Sequence, residues 1–133
     1  VAFLFAAGLD CWNGTWQIIA KDVKIGYHSI VKSGAKIGKG SIIGDFCYID
    51  SDVSIGENNV IGTSVYIKGK VDIGNNNHIL DGTIIGLPSK HIGYHLYKGK
   101  VIIGNDNFIS NGCSIDCGNN FLSDSEPITF WVT

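Results

Sequence analysis

Every sixth residue between positions 25 and 85 is aliphatic. Ile25, Val31, Ile37, Ile43, Ile49, Ile55, Ile61, Ile67, Ile73, Ile79 and Ile85 form an unbroken series. Two residues before each, the side chain is mostly small or β-branched, as in Ser29, Ala35, Ser41, Cys47, Val53, Val65, Val71 and Thr83. In a strand, residues i and i+2 point to one face, so both sets point inward together. The chain must then turn. Three residues after the aliphatic position, Gly, Asn or Asp recurs at Gly34, Gly40, Asp52, Asn58, Asn76, Gly82, Asp106 and Gly112. These residue types tolerate the positive φ that a tight corner needs. Each hexad is therefore one short strand plus one corner. An α-helix would need apolar residues at i, i+3, i+4 and i+7, a pattern absent here. A six-residue period of this kind is the mark of a parallel β-helix.

A longer period lies over the short one. Val53-Ser-Ile-Gly-Glu-Asn-Asn59 and Val71-Asp-Ile-Gly-Asn-Asn-Asn77 are 18 residues apart, or three hexads. Three hexads per coil predict a three-sided prism of about five coils, with Asn59 and Asn77 stacked and each amide bonded to the next coil. At ~4.8 Å per strand it would stand ~25 Å tall. A third copy, Val101-Ile-Ile-Gly-Asn-Asp-Asn107, comes 30 residues after the second. The excess over one coil, 30 − 18 = 12 residues, predicts an excursion from the prism within 87–100. Pro88, His91, Gly93, Tyr94, His95 and Gly99 agree with this, since they make poor inward-facing strands.

The organisation expected is thus a non-repeat leader or cap over 1–17, a hexapeptide β-helix over 18–118 with its loop at 87–100, and a non-repeat tail or cap over 119–133. The outward positions read as polar, among them Lys24, Lys32, Lys36, Ser54, Tyr66, Lys68 and Asp72. At 133 residues the chain is one domain's worth. It contains no methionine, which reads as a processed or partial chain. The net charge of −2 and the scattered Lys and Arg argue against nucleic acid, which calls for a basic stripe. No stretch reaches the length of a membrane span, and residues 1–9 lack the charged start of a signal peptide. Cys47 and Cys113 fall on inward positions and read as buried thiols. Cys113 and Cys117 have no second pair or clustered His, so no metal site is expected. Four cysteines without a disulfide framework fit a reduced, cytoplasmic protein.

The hexads, their phase and the twelve-residue excursion together resemble the UDP-N-acetylglucosamine O-acyltransferase family, hexapeptide-repeat enzymes that open lipid A synthesis. The matching stretch runs from about residue 18 to 118, the N-terminal half of such an enzyme. Ile43-Gly44-Asp45-Phe46-Cys47 resembles the family's Ile-Gly-Pro-Phe-Cys. Ile84-Ile85-Gly86 stands where the family leaves the prism, and Val101-Ile-Ile-Gly-Asn-Asp-Asn107 where it returns. The resemblance implies a left-handed helix, assembly as a homotrimer with clefts between subunits, an acyl carrier protein as donor and a UDP-sugar as acceptor. No cofactor is implied. It also implies a histidine acting as general base on the sugar hydroxyl.

The loop departs from the family's Gln-Asp-x-Lys-Tyr. This chain has Lys90-His91-Ile92-Gly93-Tyr94, in which Tyr94 is kept, His91 replaces the acid and Gly93 replaces the lysine. After the loop, Ile115-Asp116-Cys117-Gly118 stands for the family's Ile-His-Arg-Gly. The family's catalytic histidine lies on a later coil, in an Asn-x-His-x-x-His pattern not found here. The candidates for chemistry are therefore His91 as catalytic base, with Lys90, Tyr94, His95 and Asp116 as substrate-binding residues. An imidazole titrates near neutrality and suits a general base; the bland reading of His91 and His95 is two loop side chains. Asp116 could orient His91 if the loop folds back on the re-entry coil. His28, at a corner, and His78, beside inward Ile79, read as surface side chains. The alternative to an enzyme is a non-catalytic scaffold or inactive remnant, since solenoids often work as surfaces.

Overall fold

The computed structural model describes residues 18–20, 22–87, 99–117 and 129–132, with side chains omitted at 18 and 129–132. The described elements are all strands, wound as three parallel sheets that form the faces of a left-handed parallel β-helix. Face A holds β1 (Ile18–Ile19), β4 (Lys36–Ile37), β7 (Val53–Ile55), β10 (Lys70–Ile73), β13 (Lys100–Ile103) and β16 (Thr129–Val132). Face B holds β2 (Lys24–Ile25), β5 (Ile42–Ile43), β8 (Val60–Ile61), β11 (His78–Ile79) and β14 (Phe108–Ile109). Face C holds β3 (Ile30–Val31), β6 (Tyr48–Ile49), β9 (Tyr66–Ile67), β12 (Ile84–Ile85) and β15 (Ser114–Ile115). Each coil takes one strand from each face, giving five coils before β16 extends face A again.

The strands are two to four residues long because each hexad needs only one inward pair before it turns. Ile43 pairs with Ile25 and Ile61, and Ile67 with Ile49 and Ile85, so each inward position stacks on its own kind. These aliphatics and the small residues two places earlier form one buried column. A single Ile or Val buried in this way contributes roughly 1.5–3 kcal/mol. Backbone amides bond to the coil beside them, as in Gly44 to Ile61 and Gly62 to Ile79, both 2.8 Å.

At the corner between faces A and B the inward slot is polar. Ser41, Asn59 and Asn77 are buried there, one per coil. The Asn77 amide donates to Asn59 Oδ1 at 3.1 Å and to the Gly104 carbonyl at 2.8 Å. Asn77 Oδ1 accepts from the Asn107 backbone at 2.9 Å and from its side chain at 3.0 Å. The stacking expected of Asn59 and Asn77 is present, and it runs on to Asn107. No described buried side-chain polar atom lacks a partner.

The corners hold the expected positive φ at Gly34, Gly40, Asn58, Asn76, Gly82, Asp106 and Gly112. His28, Phe46 and Ser64 occupy the same phase with φ of 55–60°, so a corner accepts a bulkier residue than its composition suggests. Asp52 is the exception. At its corner Asp50 takes over, with Oδ1 accepting from the Ser51 amide at 2.8 Å and Oδ2 from the Gly69 amide at 3.2 Å. The left-handed residue one coil on is then Gly69.

Two further expectations are corrected. Cys47 is buried, but Cys113 is only half-buried, because it lies on the last full coil described. The outward positions of faces B and C are not polar: Ile30, Ile42 and Phe108 are exposed there. β16 falls in the stretch read as a non-repeat tail, and pairs with β13 from Lys100↔Thr129 to Ile103↔Val132.

Removing the Asn77 side chain leaves buried groups on two coils without partners, each costing ~1–3 kcal/mol. Asn77→Ala is expected to lower stability by about 3 kcal/mol in urea unfolding, whereas exposed Ser51→Ala should stay within ~0.5 kcal/mol. Burial pushes the Cys47 thiol above its ordinary range, against the lowering effect of its hydrogen bonds. Its Sγ donates to the Gly62 carbonyl at 3.0 Å. With the folded pKa raised, the neutral thiol's contribution is complete below the unfolded value of ~8.5 and is lost as pH rises through the folded value. Alkylation at pH 8, read by peptide mass spectrometry, should therefore spare Cys47 in the folded chain and modify it on unfolding.

Candidate functional site

The site is the place where the chain leaves the prism, at the corner between faces C and A. Its position is fixed by register. β10 pairs with β13 from Lys70↔Lys100 to Ile73↔Ile103, a step of 30 residues, whereas Val53↔Val71 is a step of 18. The difference, 12 residues, leaves after β12 and returns at β13 without disturbing the stack, as the spacing predicted. Gly86 makes the exit with φ +88°. Its amide bonds to the Ile115 carbonyl at 2.7 Å, and the Lys68 amide bonds to the Ile85 carbonyl at 2.9 Å, so the coils on both sides hold the exit. A Cβ at Gly86 would strike the Lys68 carbonyl oxygen and come within 2.8 Å of Val71 Cγ2. Here only glycine combines the dihedral with the space.

Charge gathers around this root. Lys68 and Lys70 are exposed on the coil before the excursion, and Lys100 stands at the return. Lys100 Nζ meets Asp72 Oδ2 at 2.6 Å on the outer side of face A. Both side chains are open to solvent, so the pair contributes ~0–1 kcal/mol and leaves Lys100 free to exchange partners at little cost. The root thus offers three lysines and several carboxylates on a rigid sheet edge, a setting that suits an anionic or polar ligand.

Of the residues singled out in the sequence, Asp116 lies here. It follows β15 and is half-buried, with Oδ1 accepting from the Ser114 hydroxyl at 3.1 Å. The next amide, Cys117, bonds to the Leu87 carbonyl at 2.9 Å, so Asp116 stands one coil from the residue where the excursion departs. Lys90, His91, Tyr94 and His95 lie outside the described residues. The described histidines are elsewhere. His28 is at the B–C corner, stacked on Phe46 at 5.2 Å, and His78 is on face B, stacked on Phe108 at 6.4 Å. Neither adjoins the loop root, in keeping with their reading as surface side chains. The described residues hold no group of three His, Cys, Asp or Glu able to bind a metal ion. Sequence reasoning missed the lysines of the root as a set. Their signal was the shared corner phase of Lys68, Lys70 and Lys100, visible once the 30-residue step is applied.

No family model matches the chain, and no curated protein does. Among solved structures it is similar to a crystal structure from Bacillus cereus described as a "putative acetyltransferase", with 20% identity over 80% of this chain and 72% of that one, at a TM-score of 0.41. A likeness at this level adds nothing to the reading of the site. None of the described helices or strands forms a helix long and apolar enough to cross a membrane.

The exit glycine can be tested against a neighbouring corner. Gly82 also has positive φ, 72°, but a Cβ there would meet nothing within 4 Å. Gly82→Ala should therefore cost only the left-handed strain, ~1–2 kcal/mol. Gly86→Ala adds a backbone clash, for which overpacking costs ~1–3 kcal/mol, and should be the less stable of the two in urea titration.

Proposed function

We propose that this chain is an acyltransferase of the hexapeptide-repeat class, which moves an acyl group from an acyl carrier protein to a hydroxyl of a UDP-amino sugar. The observation that carries the proposal is the twelve-residue excursion, placed between β12 and β13 and rooted among Lys68, Lys70 and Lys100. A sugar nucleotide brings two phosphates, and lysines on a fixed edge are suited to hold them. The excursion carries Lys90, His91, Tyr94 and His95 beside that edge in sequence, and Asp116 flanks its point of departure. The resemblance to the UDP-N-acetylglucosamine O-acyltransferase family supports the same reading, including assembly as a homotrimer in the cytoplasm.

In the proposed reaction, His91 takes the proton of the sugar hydroxyl as that oxygen attacks the thioester carbonyl. A carbon–oxygen bond forms and the carbonyl electrons move to oxygen. The tetrahedral intermediate then collapses and the carbon–sulfur bond breaks. The leaving thiolate recovers the proton from the imidazolium, which regenerates the base. Lys90, Tyr94 and His95 bind the substrate, and Asp116 holds it or orients the imidazole. A second reading, a non-catalytic scaffold, is favoured by the loop itself, where His91 and Gly93 replace the acid and the lysine of the family's motif.

The two readings separate in one assay. The chain is incubated with an acyl-acyl carrier protein and UDP-N-acetylglucosamine, and the sugar nucleotide is followed by mass spectrometry. The expected result is an acylated product whose rate of formation falls ~100-fold or more in His91→Ala, the usual scale for losing a general base. If a folded, assembled chain makes no product, the enzyme reading fails and the scaffold reading stands.

A further inference from the structure

The charges of this prism are sorted by face. Charged side chains cluster on face A and at the C–A corner, where Lys32, Lys36, Asp52, Lys68, Lys70 and Asp72 follow one another. The outward ladders of the other two faces are different. On face B, register brings Lys24, Ile42, Val60, His78 and Phe108 into line. On face C it aligns Ile30, Tyr48, Tyr66, Ile84 and Ser114. Among the described residues these ladders hold no carboxylate, and their one lysine is at the first coil. Tyr48 and Tyr66 stack at 4.7 Å.

The edge where the two faces meet is apolar as well in its first two coils. Tyr27 and Phe46 are 62% and 61% exposed there. Phe46 sits at φ 56°, a conformation costing a bulky residue ~1–2 kcal/mol, yet its ring points to solvent, where it returns nothing to the fold. The carboxylates of this edge are turned away from water-facing roles: Asp45 Oδ1 accepts from the Tyr27 amide and Asp81 Oδ1 from the Thr63 amide, both at 2.8 Å. An apolar surface spread over two faces and their shared edge is more than a monomer usually leaves open.

Area decides what kind of partner covers it. A face five strands tall at ~4.8 Å and about five residues wide at ~3.3 Å measures roughly 350 Å². A stable interface takes ~800 Å² from each partner. One face is too small, and both together with the edge, ~700 Å² or more on the same measure, come close. A twofold dimer placing one face on itself would leave the other bare. A ring that lays face B of each copy on face C of the next covers both in every copy, and closes without an open end.

We infer that copies of this chain assemble as a closed ring, with face B of one copy on face C of the next and the Tyr27–Phe46 edge turned toward the axis. This deepens the trimer of the proposed function, which specifies a number of copies and not a surface. A closed ring brings equal heights into contact. Val60 on face B and Tyr66 on face C belong to the same coil, so across each interface they face one another.

That pairing supplies the test. Light scattering would be run on the full chain, on Val60→Glu, on Tyr66→Lys, on the double variant and on Ser54→Glu from face A as control, with circular dichroism to check each fold. The expected result is a ring mass for the parent and the control, a loss to single chains in both single variants, and recovery in the double variant, where opposite charges meet. A monomeric parent overturns the inference and the trimer together. An assembled parent with unaffected single variants overturns the surface and leaves the trimer standing. Single variants that dissociate without recovery in the double variant overturn the B-on-C arrangement.

Discussion

The structure depends on each coil finding an identical coil beside it. A strand of two residues cannot hold itself together, because it makes too few hydrogen bonds to offset the entropy of ordering it. It persists here because its amides and carbonyls meet those of the neighbouring coil in a fixed register. The inward isoleucines enforce that register. A slip of one residue would turn each of them out to solvent and bring its polar neighbour into the core. The asparagine ladder adds a second, directional constraint, since its amides bond only when coils are aligned. Twelve extra residues can therefore leave and return without shifting the stack: the register on either side is over-determined.

The fold was legible because this register is written as a period. The six-residue step places the strands and the 18-residue step gives three sides, while the 30-residue step locates the excursion. The corners were less legible. A glycine or asparagine marks positive φ by its own preference, but His28, Phe46 and Ser64 are held there by the coils around them, which local composition does not reveal. Asp52 failed for a related reason. The Asp50 carboxylate satisfies two amides at that corner and changes the turn, an event set by one side chain reaching across to Gly69 on the next coil.

The candidate site was legible in its location and less so in its chemistry. Asp116 was found because it follows the re-entry coil, and the structure puts its neighbour Cys117 on the Leu87 carbonyl. The root lysines escaped notice because they are far apart in sequence and come together only through the coil stacking. The apolar outward ladders were misread for a sharper reason. The period constrains the inward side chains and says nothing about the outward ones, so Ile42 and Ser54 occupy equivalent slots with opposite surface character.

That freedom on the outward side is what allows such a prism to carry a function. The core must repeat itself, and no single coil can change its inward residues without disturbing two neighbours. Outward side chains carry no such obligation, so each face can be given a different task. Here face A and the C–A corner hold the charges and the root of the excursion, while faces B and C are stripped of charge over four of their five rungs. The division is physically coherent. A polar ligand at the root needs water and mobile lysines nearby, whereas an association surface gains most where ions are absent, because burying an unpaired charge costs more than an apolar contact returns. Placing the two on opposite sides of a rigid prism lets copies pack together without covering the edge from which the excursion departs.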